Sequence, residues 1–229
     1  MSMEDLCYRN EYKHSISQAS KAALSSRLGK VLPRDENCNG KTYLVKSLYF
    51  DNIYNEILYE KLDGVPYREK FRIRCYNNDY SYIRLEKKVK EHKKGYKLST
   101  LLTRQEANKI ILGDINFLKN SSESIRREFY FKSKLKVLKP KILIGYERDA
   151  YTYLPGNTRV TLDSNIRSSI QEGFDFFQDS TLLEIEHKKF ILEVKFDRFI
   201  PSIIRDLVQV NETSSASNSK YAAGRLITL

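Results

Sequence analysis

Cysteine and histidine are scarce: the 229 residues hold three of each, namely Cys7, Cys38 and Cys75, and His14, His92 and His187. Three cysteines, odd in number and far apart, make neither a disulfide framework nor a zinc motif, and they read as reduced thiols. Three scattered histidines argue against a histidine-ligated metal centre and against a Ser-His-Asp triad. No apolar run approaches the roughly 18–20 residues that span a bilayer. The opening MSMEDLCYRNEYKH lacks the apolar centre of a signal peptide, so the expected address is the cytoplasm. No stretch rich in proline, glycine or serine splits the chain, and one domain over residues 1–229 is expected. The segment NETSSASNS, residues 211–219, is the low-complexity patch and reads as a loop.

Positive charge is plentiful. Lysine and arginine total 40 against 29 acidic residues, a formal net charge of +11. The excess points to an anionic partner: nucleic acid, a membrane surface or a phosphorylated small molecule. A hydrophobic fraction of 41% with 12% aromatics excludes a disordered chain.

Apolar periodicity predicts helices over 17–30, 104–112, 123–138, 202–210 and 221–227, and a short amphipathic helix or turn near 54–61. Thr103 and Glu106 fit a capping box for the helix over 104–112. Strands are expected over 43–50, 69–76, 80–90, 96–102, 141–153, 158–163, 182–185 and 190–196. Many antiparallel-looking strands with helices inserted indicate an α+β fold.

Side chains alternate along a strand, and here one face is charged. Over 80–90, Tyr82, Arg84, Glu86, Lys88 and Lys90 oppose Ile83, Leu85 and Val89, with Lys87 interrupting the apolar side. Lys70, Arg72, Arg74 and Tyr76 oppose Phe71, Ile73 and Cys75. Arg159, Thr161 and Asp163 oppose Val160 and Leu162, while Glu193 and Lys195 share a face with Ile191 against Leu192, Val194 and Phe196. Arg148 shares its face with Ile142 and Ile144. A single strand of this kind is an ordinary sheet with one solvated face. Recurrence of Arg-x-Arg and Glu-x-Lys is different, because rows of cations about 4.8 Å apart repel unless an anion or metal lies among them. A barrel with its charged faces inward and its apolar faces covered by helices accounts for the pattern.

The motifs carry a resemblance. In order stand Glu11-Tyr12-Lys13, YFD (Tyr49 to Asp51), KFRIR (Lys70 to Arg74), LEKK (Leu85 to Lys88) and YERDA (Tyr146 to Ala150). RVTLD (Arg159 to Asp163), LEVKF (Leu192 to Phe196) and SKY (Ser219 to Tyr221) follow. Eight such motifs in this order resemble the VTC domain of polyphosphate polymerases, one of the CYTH-like triphosphate tunnel metalloenzymes, over residues 8–229. The resemblance implies an eight-stranded antiparallel β-barrel with helices packed outside. It implies phosphate binding by Lys13, Arg72, Arg74, Lys88, Lys97, Arg148, Arg159, Lys195 and Lys220, and Mn²⁺ or Mg²⁺ at Glu193. Lys93 and Lys94 compete with Lys97 for one of these places, and strand parity favours Lys97. Implied partners are ATP or another nucleoside triphosphate and inorganic polyphosphate.

Arginine suits bidentate phosphate and lysine acts as a point charge. A γ-phosphoryl group passing to the anionic end of a polyphosphate chain needs no strong base, whereas hydrolysis needs an oriented water. Glu11, Glu86, Asp163 and Glu184 are candidates to hold that water, so a tripolyphosphatase or nucleoside triphosphatase is the alternative reading. A non-catalytic module that binds polyphosphate or nucleotide is a third. A nucleic-acid binder is disfavoured, because surface charge alone would serve it and would not require Glu-x-Lys strands. The bland reading of Glu86 with Lys88, and of Glu193 with Lys195, is a same-face ion pair. Tyr49 and Phe50 are expected to pack the barrel wall, and Asp51 to cap a turn.

Overall fold

The computed structural model describes residues 8–38, 42–92, 94–170, 175–178, 182–185, 189–210, 214–215 and 219–228. Cys7, Lys93 and His187 lie outside them, as does most of the 211–219 segment. The strands are β1 (Asn10–Ile16), β2 (Tyr43–Asp51), β3 (Tyr67–Tyr76), β4 (Asp79–Glu91) and β5 (Lys94–Leu102). Then follow β6 (Lys139–Tyr153), β7 (Thr158–Ser168), β8 (Leu183–Glu184), β9 (Phe190–Phe196) and β10 (Ser214–Ser215). The helices are α1 (Gln18–Val31), α2 (Glu56–Leu62), α3 (Arg104–Ile111), α4 (Ser124–Lys136), α5 (Ser202–Leu207) and α6 (Lys220–Ile227). None is long and apolar enough to cross a membrane.

Eight strands pair antiparallel in the order β1-β9-β7-β6-β2-β3-β4-β5, with two-residue β10 on β1 and two-residue β8 on β7. The outer edges of this path, β1 and β5, meet at one antiparallel bridge between Arg9 and Gly95, where the Arg9 amide donates to the Gly95 carbonyl at 3.2 Å. Tyr8 stacks edge-on against Tyr96 beside it, ring centroids 5.3 Å apart. Glycine is required here, because a Cβ at position 95 would stand 2.8 Å from the Val89 carbonyl oxygen. The sheet thus curls into the expected barrel, held at its seam by a short contact and not by a full ladder.

The apolar strand faces do look outward. Leu48, Phe50, Phe71, Ile73, Ile83 and Leu85 pack beneath α3 and α4, where the Phe129 ring lies 5.1 Å from Phe50 and 5.2 Å from Phe71. Val160, Leu162, Leu192 and Val194 pack beneath Leu24 and Leu28 of α1 and Ile204 of α5. Local caps fix the helix starts. Ser17 accepts from the Ser20 amide, and Thr103 and Glu106 make the expected capping box. Lys87, the cation on an apolar face, is buried there against Glu69 at 2.8 Å and Glu128 of α4. Buried charge persists only when so paired.

Two expectations are corrected. Ser214 and Ser215 form a strand inside the segment read as a loop, supplied by the free edge of β1. Strand β7 runs to Ser168, beyond the 158–163 expected, because its polar residues Ser164 and Ser168 are buried between β6 and its other neighbours.

Candidate functional site

Ladder register puts the charged side chains on one continuous inner face. Lys70, Arg72 and Arg74 of β3 stand opposite Lys88, Glu86 and Arg84 of β4. Lys88 and Glu86 then stand opposite Lys97 and Ser99 of β5. On the far wall Glu11 and Lys13 of β1 face Lys195 and Glu193 of β9, which in turn face Arg159 and Thr161 of β7. Arg148 of β6 lies between Asp163 of β7 and Tyr43 of β2. Lys88 crosses the seam to Glu11 at 3.0 Å, so the two walls enclose a common channel.

Carboxylates and cations alternate along it. Arg148 grips Asp163 bidentately at 2.6 and 2.8 Å, and Lys220, at the start of α6, reaches the same carboxylate at 2.6 Å. Arg72 sets two nitrogens on Glu86 at 2.6 and 2.7 Å, Lys97 meets it at 2.8 Å, and Arg74 lies 3.9 Å away. Lys13 contacts Glu11 and lies 3.5 Å from Glu193, which also pairs with Lys195. Arg159 bonds Asp35 and the Tyr43 hydroxyl, each at 2.9 Å. Every basic residue expected from the motifs, including Lys97, is on this face; Lys94 is exposed at the hairpin end of β5.

Proton affinities follow from the crowding. Burial pushes the Glu11 carboxyl up, as does neighbouring Glu193, yet Lys88, Lys13 and Lys195 together hold it down at about 2. Burial likewise opposes ionisation of Asp163, and Arg148 with Lys220 brings it to about 2. Glu193 and Glu86 are held well below the usual carboxylate range despite burial, the first by Lys13 and Lys195, the second by Arg72 and Arg74. Lys70 goes the other way: desolvation, then Lys88 and Arg72, lower it to about 7 against the pull of Tyr49. Tyr49 falls to about 7, because Arg72, Lys70 and Arg74 outweigh its burial.

One expectation changes and two are met. Tyr49 packs on the inner side of the wall, buried with its ring 5.3 Å from that of Tyr221, and accepts from Arg72 at 3.0 Å, while Phe50 packs outward. Glu184 does not join the inner carboxylates. It is exposed on β8, opposite Arg167, because its strand pairs only with the last residues of β7. Asp51 caps α2, accepting from the Ile57 and Leu58 amides at 3.1 and 3.2 Å, and also binds the Tyr221 hydroxyl.

Residues not singled out from the motifs complete the face. Tyr146 lies under Arg148, 5.2 Å from its centroid, and under Lys220 at 4.5 Å; it shares strand parity with Arg148, which was the available signal. Asp35 comes from the irregular segment after α1, where no periodicity marks it. Helix α6 packs against the apolar part of the inner wall, with Gly224 so close that a Cβ would stand 2.7 Å from Ile144 Cδ1.

Among the described residues no cluster of three or more His, Cys, Asp or Glu forms an all-protein metal cage. Glu11 and Glu193 are instead two carboxylates within reach of one lysine. Such a donor set fits Mg²⁺ or Mn²⁺, which keep waters and take phosphate oxygens as further ligands. Thr161 Oγ1 and Arg159 Nε, both buried atoms on this face, have no hydrogen-bond partner among the described residues, as expected of groups that meet a ligand.

Fold and face together define an α+β protein whose antiparallel sheet curls around an inner face lined by cations and carboxylates. The family model for the VTC domain matches residues 8–229, and the chain belongs to that family. A structure of an adenylyl cyclase candidate from Hippeastrum, described as having a dominant triphosphatase activity, superposes with a TM-score of 0.60 at 15% identity, covering 97% of this chain and 96% of that one. A Bacillus halodurans protein described as a candidate adenylate cyclase gives 0.51 at 15% identity, over 83% and 82%. At such identities the likeness is one of fold. No curated protein matches the sequence.

Proposed function

We propose that this chain is a polyphosphate polymerase that moves the γ-phosphoryl group of ATP onto the end of an inorganic polyphosphate chain inside the tunnel. The observation that carries the proposal is convergence: Lys13, Arg72, Arg74, Lys88, Lys97, Arg148, Arg159, Lys195 and Lys220 come from seven strands and one helix to a common face. A linear polyanion is the ligand that neutralises all of them at once.

In the reaction a terminal phosphate oxygen of the chain attacks the γ-phosphorus. The bond from that phosphorus to the β–γ bridging oxygen breaks, its electron pair stays on the β-phosphate, and ADP leaves. Arg72, Arg74 and Arg148 hold the equatorial oxygens, where charge gathers, by preformed donors. A divalent cation held by Glu193, with Glu11 beside it, would neutralise phosphate charge when bound.

The carboxylates favour transfer over hydrolysis. Glu11, Glu86, Asp163 and Glu193 are each engaged by at least two cations, and carboxylates held far below their ordinary range by such neighbours are poor bases for water. The acceptor phosphate is already ionised and needs none. Hydrolysis of tripolyphosphate is the second reading, motivated by the triphosphatase activity described for the Hippeastrum relative of this fold. Incubation with ATP and Mn²⁺ followed by gel electrophoresis separates the two. Long chains support the polymerase; orthophosphate as the sole product supports the hydrolase.

A further inference from the structure

The inner face carries a lysine that motif matching did not assign. Lys88 of β4 stands directly opposite Lys70 of β3 on one side and Lys97 of β5 on the other. Side chains so placed have Cβ atoms roughly 4.5–5.5 Å apart, and like charges there repel. Two of the three are compensated: Lys88 by Glu11 at 3.0 Å and Lys97 by Glu86 at 2.8 Å. Lys70 has no carboxylate at ion-pair distance among the described residues. Its ammonium rests over two aromatic faces, 5.2 Å from the centroid of Tyr49 and 5.5 Å from that of Tyr221.

We propose that Lys70 is a phosphate-binding residue, whose missing counter-charge is a phosphate of the bound chain shared with Lys88 opposite it and with Lys13. The argument is one of balance. A cation inside a protein is expensive unless paired, and aromatic faces supply only part of what a carboxylate would. Beside Lys88, Lys97 and Arg72 the chain provides a carboxylate. Beside Lys70 it provides two tyrosines and more lysines, an environment that becomes favourable only when an anion enters. The depressed proton affinity of Lys70 is the mark of that deficit. The proposal rests on the tunnel being a linear-phosphate site, and it adds a subsite against β3 and α6.

Calorimetric titration with tripolyphosphate tests it, on wild type, Lys70→Met, Lys70→Arg and Arg72→Ala, beside melting curves without ligand. Lys70→Met is expected to weaken binding about 10-fold or more, the loss of a charge-assisted contact, and Lys70→Arg to keep it within about 3-fold. Ligand-free Lys70→Met is expected to melt no lower than wild type, since an uncompensated charge is removed. Wild-type affinity in Lys70→Met, with binding lost in Arg72→Ala, would overturn the role of Lys70 and leave the tunnel reading standing. A lower ligand-free melting temperature in Lys70→Met without rescue by arginine would show a structural lysine and overturn it too. No binding by wild type would overturn both.

Discussion

Glu86→Gln tests the electrostatic balance of the tunnel at a fully buried carboxylate. Glu86 is 0% exposed and is the counter-charge of Arg72 at 2.6 Å and Lys97 at 2.8 Å. Glutamine keeps the volume and removes the charge. Lys97 is 44% exposed at its side chain and screened by water, so it contributes little. Arg72 is 13% exposed and is left without its carboxylate. Breaking such a buried pair costs about 3–5 kcal/mol, and water at Lys97 places the cost toward about 3. For a protein of this size that lowers the melting temperature by roughly 6–12 °C. Tripolyphosphate should reverse the penalty, because it supplies the charge that glutamine lacks and binds the folded state. Differential scanning fluorimetry with and without tripolyphosphate reads both effects. The expected result is a lower ligand-free melting temperature and a larger ligand-induced rise than in wild type. Equal melting temperatures and equal rises would refute the idea that Glu86 is the counter-charge of Arg72 and that tripolyphosphate can supply the charge that the substitution removes.

Further outcomes follow from other contacts. Phe129→Ala removes the ring that α4 inserts against Phe50 and Phe71; it should cost about 3–5 kcal/mol of stability and leave tripolyphosphate affinity unchanged by calorimetry. Arg148→Lys loses the bidentate grip on Asp163 and should weaken tripolyphosphate binding about 10-fold, which the same titration measures. Glu11 and Asp163 titrate near 2 in the fold against ordinary values of 4.5 and 3.8. Their stabilisation is therefore complete above about pH 4.5 and lost as pH falls toward 2; melting curves across that window should drop steeply, and a flat profile would contradict the assignment. Tripolyphosphate should raise the melting temperature more than sulfate at matched ionic strength, because sulfate cannot bridge sites along the tunnel; equal rises would point to screening alone.

The sequence disclosed most of the barrel because charge and apolarity alternate cleanly in KFRIR and LEVKF. An arginine or lysine two residues from another cannot face the core, and where both faces are covered the charged one must line a cavity. Tyr49 escaped that logic. On β2 the inner face reads Tyr43, Val45, Ser47, Tyr49, without a charge to mark it, and only pairing with Arg72 shows which way the ring points. Asp35 and Lys220 come from outside the strands, so no period-two pattern reports them; Lys220 was visible only through SKY. Ser214 and Ser215 became a strand because β1 offered a free edge, a tertiary fact that local composition does not contain. The seam at Arg9 and Gly95 was invisible for the same reason.

A crystal structure grown with tripolyphosphate and Mn²⁺ tests the tunnel most directly. The phosphates should lie end to end along the inner face, within hydrogen-bond reach of Arg72, Arg74, Lys88, Arg148 and Lys220, with the metal on Glu193. Phosphate density confined to the outer surface, with the inner ion pairs intact, would contradict it.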